Sequence, residues 1–144
     1  MSIAKNLKDV VGRVADAAAK AGRDSNGITL IAVSKTWPVS VIQEAADAGQ
    51  RVFGENKVQE VLKKVPAMAP ELKWHLIGHL QKNKTRKVLP LCAMIHSVDS
   101  LALAQQIDRI AGELALTPEI LLQVNVAADD AKFGLAASEV ENIW

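Results

Sequence analysis

Apolar positions along this chain follow two alternating rhythms. Ile3, Leu7, Val10, Val11, Val14, Ala17, Ala18 and Ala21 recur at helical spacing, which predicts an amphipathic helix over 3–21 with Gly22 as its stop. Ile28 to Val33 is short, apolar and rich in β-branched residues, and it predicts a buried strand between Gly27 and Pro38. Pro38 suits the first turn of a helix whose apolar face is Val41, Ile42, Ala45 and Ala48, ending at Gly49. Val52–Gly54 predicts a second strand. Val58, Val61, Leu62 and Val65 predict a second crossover helix, stopped by Pro66. Trp74–Gly78 is a third strand, followed by a short helix from Lys82 to Leu89. Ala93–His96 is a fourth. Asp99 or Ser100 then caps a helix with Leu103, Ala104, Ile107, Ile110, Ala111 and Leu114 on one stripe. Glu119–Asn125 is a fifth strand, Ala127 to Leu135 a loop, and Ser138 opens another helix.

Strands alternating with helices at this interval predict an α/β fold with a parallel sheet and right-handed crossovers. An open doubly wound sheet and a (β/α)8 barrel both fit the repeat. No Gly-x-Gly-x-x-Gly follows the first strand, which weakens a dinucleotide-binding reading. A complete barrel needs eight strands and about 250 residues, so about five βα units would be part of one. No linker, low-complexity segment or second domain interrupts residues 1–144, which read as a single domain.

Composition narrows the function classes. The 144 residues carry a formal net charge of +1, with 49% apolar and 23% charged positions, as in an ordinary globular domain. Near-neutrality argues against a general nucleic-acid or membrane-surface binder. No apolar run approaches the roughly 20 residues of a membrane-spanning helix, and the N-terminus lacks the apolar centre of a secretory signal. Cys92 is the single cysteine, so no disulfide forms within the chain, and the cytoplasm is the expected compartment.

In parallel α/β folds chemistry gathers at the carboxyl ends of strands. Here those ends read Ser34-Lys35-Thr36, Gly54-Glu55-Asn56, Gly78-His79, His96-Ser97 and Gln123-Val124-Asn125. Lys35 is the sharpest feature. A free lysine has a pKa of about 10.4, and partial burial would free its amine as a nucleophile able to form a Schiff base with an aldehyde. The plainer alternative is a lysine leaning to solvent or pairing with Glu55. Asn56 could hydrogen-bond a ring oxygen or simply cap a helix. Ser97 and Asn125 could turn polar groups toward a pocket or act as caps. His75, His79 and His96 lack metal-ligand spacing, and no metal site is expected. The basic run Lys82, Lys84, Arg86 and Lys87 has no interleaved aromatics, which disfavours nucleic acid. Lys132, in the loop after the fifth strand, could meet a ligand or stay in solvent.

Taken in order, these segments resemble a known family. Leu30-Ile-Ala-Val-Ser-Lys35-Thr, Phe53-Gly-Glu-Asn56-Lys-Val-Gln-Glu60, Trp74-His-Leu-Ile-Gly78-His-Leu-Gln-Lys-Asn-Lys84, Ile95-His-Ser-Val-Asp99-Ser, Leu121-Leu-Gln-Val-Asn125 and Lys132-Phe-Gly134 are similar to the pyridoxal phosphate homeostasis protein family, from Ile28 to at least Gly134. The resemblance implies a (β/α)8 barrel like the N-terminal barrel of alanine racemase, here with about five βα units and an extra N-terminal helix. It implies pyridoxal 5′-phosphate (PLP) held as an internal aldimine on Lys35, with Asn56 near the cofactor and Lys132 on a loop. It further implies an intracellular, monomeric PLP carrier without established turnover, with PLP-dependent apoenzymes as recipients. Family members continue for three more βα units that carry the phosphate-binding backbone. This chain resembles their N-terminal part, so weak PLP retention and self-association through an unpaired sheet edge are expected of it alone.

Two enzymatic readings compete. A PLP-dependent amino-acid racemase of the alanine-racemase type needs a tyrosine as second base, and this chain has none, which leaves at most a weak activity. A Schiff-base aldolase would usually place its lysine on a later strand, which disfavours it here.

Overall fold

A computed structural model describes residues 2–143. Helix α1 (Ile3–Lys20) opens at Ser2, whose hydroxyl accepts the Lys5 N–H at 3.3 Å. Then come β1 (Ala32–Val33), α2 (Val39–Asp47), β2 (Val52–Glu55) and α3 (Val58–Lys64). The chain continues through β3 (Lys73–Leu76), α4 (Thr85–Val88), β4 (Met94–Val98), α5 (Leu101–Leu114) and β5 (Glu119–Leu122). Short 3-10 turns link several of these.

All strand pairs are parallel, and the spatial order is β1-β2-β3-β4-β5. The order never reverses. A doubly wound sheet requires such a reversal, so the alternative of an open doubly wound fold is not what forms.

One face of the sheet carries the core. Phe53 and Trp74 meet at 5.4 Å between ring centroids, and Leu76, Ile95 and Val98 lie fully buried beside them. Ile42 and Ala46 of α2, Val58 and Val61 of α3, Val88 of α4, and Leu103, Ile107, Ile110 and Ala111 of α5 close over them. Successive strand residues alternate faces, so the neighbours of the core positions look the other way. Val33 (49% exposed) and Leu121 (46%) lie on that second face. There Ile31 and Ile77 close over Gly54: a Cβ at Gly54 would come within 3.0 Å of Ile31 Cγ2 and 3.3 Å of Ile77 Cδ1.

Several boundaries differ from the sequence reading; β3, for one, is Lys73–Leu76 and stops two residues short of Gly78. β1 is only two residues long, because the Leu30 carbonyl accepts the Gln50 side-chain amide at 2.8 Å. β4 runs on to Val98, through a register shift between Ile95 and Val98 against β5. β5 stops at Leu122, beyond which a single bridge joins Val124 to Leu135. The expected last helix is a 3-10 segment, Ala137–Asn142, whose start is tied by Ala136 N–H donating to Glu139 Oε2. Ser100, not Asp99, caps α5: its Oγ accepts the Leu103 N–H at 3.1 Å.

Candidate functional site

Lys35 lies just past β1, exposed, with no side-chain hydrogen bond or ion pair among the described residues. Its surroundings are far from loose. On one side, Ser34 is buried, with its N–H on the Gly54 carbonyl at 2.9 Å and its hydroxyl on Glu55 Oε1 at 2.7 Å. On the other side, the Thr36 N–H donates to Glu60 Oε1 at 3.0 Å. Lys64 joins the two. Its Nζ donates to the Ser34 carbonyl at 2.9 Å, to Glu55 Oε1 at 2.7 Å and to Glu60 Oε1 at 3.1 Å.

Of the two plainer alternatives for Lys35, pairing with Glu55 is therefore not what forms. Glu55 is fully buried on the helix side of the sheet and pairs with Lys64 and Ser34, not with Lys35. A buried carboxylate needs a partner that arrives from within the core, and Lys64, 5% exposed at the end of α3, is that partner. Burial raises the Glu60 carboxyl, but the Thr36 N–H and the Lys64 ammonium together hold it below its ordinary range. The sequence signal for Lys64 was available. It falls three residues after Val61, on the apolar stripe of α3, with Glu60 one turn before it.

Asn56 follows β2, exposed at a cavity of about 380 Å3. Lys57, Gln59, His79, Gln81 and Lys84 also line it, and no carboxylate does. The main chain at Asn56 is held by close packing: a Cβ on Gly78 would fall 2.1 Å from the Asn56 carbonyl oxygen, which only glycine permits. His79, after β3, has Nδ1 3.3 Å from Asp99 Oδ2 and stacks on Phe133 at 4.1 Å between ring centroids, 17° from parallel. This ties the loops after β3, β4 and β5 at one end of the sheet. Sequence reasoning missed the contact because its partners lie on three separate loops.

The other two expected site residues are placed differently. Ser97 lies inside β4, not at its end, because β4 extends to Val98. Its side chain is fully buried and its Oγ has no hydrogen-bond partner among the described residues. Asn125 is turned toward its own loop: Nδ2 donates to the Asp129 carbonyl at 2.8 Å, and Oδ1 accepts the Asp129 N–H at 3.3 Å. Gly134, at φ +136°, packs against Asn125 where a Cβ would meet the Asn125 nitrogen at 2.6 Å. Lys132 lies 3.8 Å from Asp129 in the same exposed loop.

Elsewhere on the second face of the sheet, His75 Nδ1 and His96 Nε2 are 2.8 Å apart. Burial holds both imidazoles below the ordinary histidine range, and the proximity of His96 adds to this for His75. Burial pushes the Cys92 thiol up to about 12, so it is not a poised nucleophile. Within the basic run, Arg86 reaches across to pair with Glu113 of α5. Among the described residues, no group of three or more metal-ligating side chains converges, and no helix is long and apolar enough to cross a membrane.

No protein-family model matches the chain. Curated relatives do. The chain is 43% identical over 142 residues to the pyridoxal phosphate homeostasis protein of Pseudomonas aeruginosa, covering 96% of this chain and 61% of that one. It is 36% identical to that of Aquifex aeolicus, covering 100% and 64%, and 40% identical to the human protein, covering 92% and 52%. The chain thus spans less than two thirds of the length of these relatives. Among solved structures, PipY of Synechococcus elongatus with PLP bound superposes with a TM-score of 0.77 at 44% identity, over 90% of this chain and 61% of PipY. An alanine racemase from Bartonella henselae matches at a TM-score of 0.71 and 13% identity, over 98% of this chain and 37% of the racemase, a likeness of fold alone.

Proposed function

The chain belongs to the pyridoxal phosphate homeostasis protein family, and on that premise we propose that it binds pyridoxal 5′-phosphate through Lys35 and serves in intracellular PLP homeostasis. The observation that carries the reading is Lys35 itself: exposed past the end of β1, without a partner among the described residues, and with its main-chain neighbours tied down on both sides.

When bound, the cofactor supplies an aldehyde with which a lysine amine can condense as water leaves. Lys35 offers that amine. Asn56 offers an amide on a wall of the mouth that Gly78 keeps in place. The cavity beside Asn56, lined by lysines, amides and His79 without a carboxylate, suits an anionic molecule. Asn125 orders the loop after β5, and Ser97 is buried within β4; both are weaker candidates than Lys35 and Asn56.

In this reading residues 1–144 are one alanine-racemase-like unit, and the five βα units, wound in a single direction, are part of a (β/α)8 barrel. The whole protein is a monomeric cytoplasmic carrier and regulator, not an enzyme, and it passes PLP to apoenzymes. Its relatives are named for homeostasis and for no catalysed reaction.

Titration with PLP, followed by visible absorption, borohydride reduction and peptide mapping, tests the proposal. The expected result is a new long-wavelength band and a reduced adduct on Lys35, both lost in Lys35→Ala. A band that survives in Lys35→Ala, or adducts spread evenly over surface lysines, would overturn it.

A further inference from the structure

We infer that Glu60 and Lys64 of α3, anchored by buried Glu55, are positioning residues that hold the main chain on both sides of Lys35 and so aim its amine. This rests on the binding role proposed for Lys35.

The geometry is specific. Lys64 Nζ reaches the carbonyl of Ser34, the residue before Lys35, and Glu60 Oε1 accepts the amide of Thr36, the residue after it. The two clamping side chains also bond each other at 3.1 Å, so neither moves alone. Glu55 supplies the charge that keeps an ammonium inside the protein, and the Ser34 hydroxyl shares the same carboxylate oxygen.

Several features show that this is more than generic core stability. β1 itself is two residues long, so strand pairing fixes little of this segment. Thr36 has φ +69°, a left-handed conformation that a β-branched residue adopts at a cost and that must be held from outside. The clamp supplies that hold at the residue adjoining the amine. Glu55 Oε2 is buried without a hydrogen-bond partner among the described residues, so the cluster is not built for polar satisfaction alone. Two apolar residues at 55 and 64 would pack there without burying a polar group, but would leave the Ser34 carbonyl without its ammonium donor and Glu60 without its ion-pair partner.

The test uses Glu60→Ala, at a partly exposed position in a helix where alanine is favourable, together with Glu60→Gln and Lys64→Met. Arg109→Ala, which removes an exposed ion pair to Glu113, is the control. Circular dichroism confirms which variants fold. Two quantities are read: amide hydrogen exchange at Thr36 without any ligand, and the share of borohydride-fixed PLP found on Lys35.

Glu60→Ala is expected to speed Thr36 exchange about tenfold, the equivalent of one charge-assisted hydrogen bond, and to cut the Lys35 share severalfold. Glu60→Gln keeps an acceptor oxygen at the same reach and is expected to restore most of both. Folded Lys64→Met is expected to lose both more completely, while Arg109→Ala changes neither. Unchanged Thr36 exchange and an unchanged Lys35 share in Glu60→Ala would overturn the inference. If the unsubstituted chain itself shows no preference for Lys35, the proposed function fails, yet faster Thr36 exchange in Glu60→Ala still supports the clamp as a main-chain device.

Discussion

The carboxyl ends of β1 and β5 look alike in sequence, each a strand running into polar residues, yet they are built by opposite means. At β1, the segment Ser34–Thr36 is held by side chains 21 to 30 positions away, through buried Glu55 and Lys64 and partly exposed Glu60. At β5, Asn125 is held within its own loop, four residues from its partner Asp129, in exposed surroundings. Long-range anchoring makes the position of Lys35 a property of the whole core. Local anchoring makes the loop after Asn125 a property of a few residues. On the role proposed for Lys35, a strand end that presents one amine in one direction needs the first kind of support. A loop that contributes surface needs only the second.

Breaking the first end should have the largest effect. Lys64→Met leaves Glu55 buried without its counter-charge and is expected to cost about 3–5 kcal/mol, seen as a large fall in the urea midpoint. Asn125→Ala should cost about 1 kcal/mol and alter amide exchange only between residues 124 and 135, leaving Thr36 untouched. Equal costs for the two would erase the distinction drawn here.

A smaller effect concerns pH. His75 and His96 are both held below the ordinary histidine range, so the unfolded chain binds these protons more readily than the folded one. The stability they permit is complete above the unfolded value of about 6.5 and falls as pH drops through it. Glu119 faces His75 and opposes this, whereas Lys73 reinforces it. Thermal melts at pH 7 and pH 5 should show a drop of a few degrees that shrinks in His96→Gln. A drop of the same size in that variant would assign the acid sensitivity to other groups.

Much of the frame was readable in advance. The alternation of apolar runs and helical stripes located all five strands and the crossover helices, because burial on a parallel sheet dictates both patterns. Lys35 stands out by its place directly after an apolar strand, although a lysine leaning to solvent is the plainer reading of that position, and it is the ordered set of motifs around it that points to a cofactor. What failed depended on partners distant in sequence. Of the two plainer readings of Lys35, pairing with Glu55 fails because strand alternation turns Glu55 and Lys35 to opposite faces, and the solvent-facing one describes its exposed side chain. The leading part of the first strand was lost to Gln50, whose amide takes the Leu30 carbonyl. Ser97 was read as a strand end because the register shift that carries β4 on to Val98 leaves no mark in composition. His79, Asp99 and Phe133 meet only after three loops converge.

A residue-by-residue map of amide exchange with and without PLP tests the assignment of Lys35. New protection is expected at residues 33–36 and 54–56, with little change around 124–129. Protection centred on 124–129, or none at Lys35 and its neighbours under saturating PLP, would contradict it.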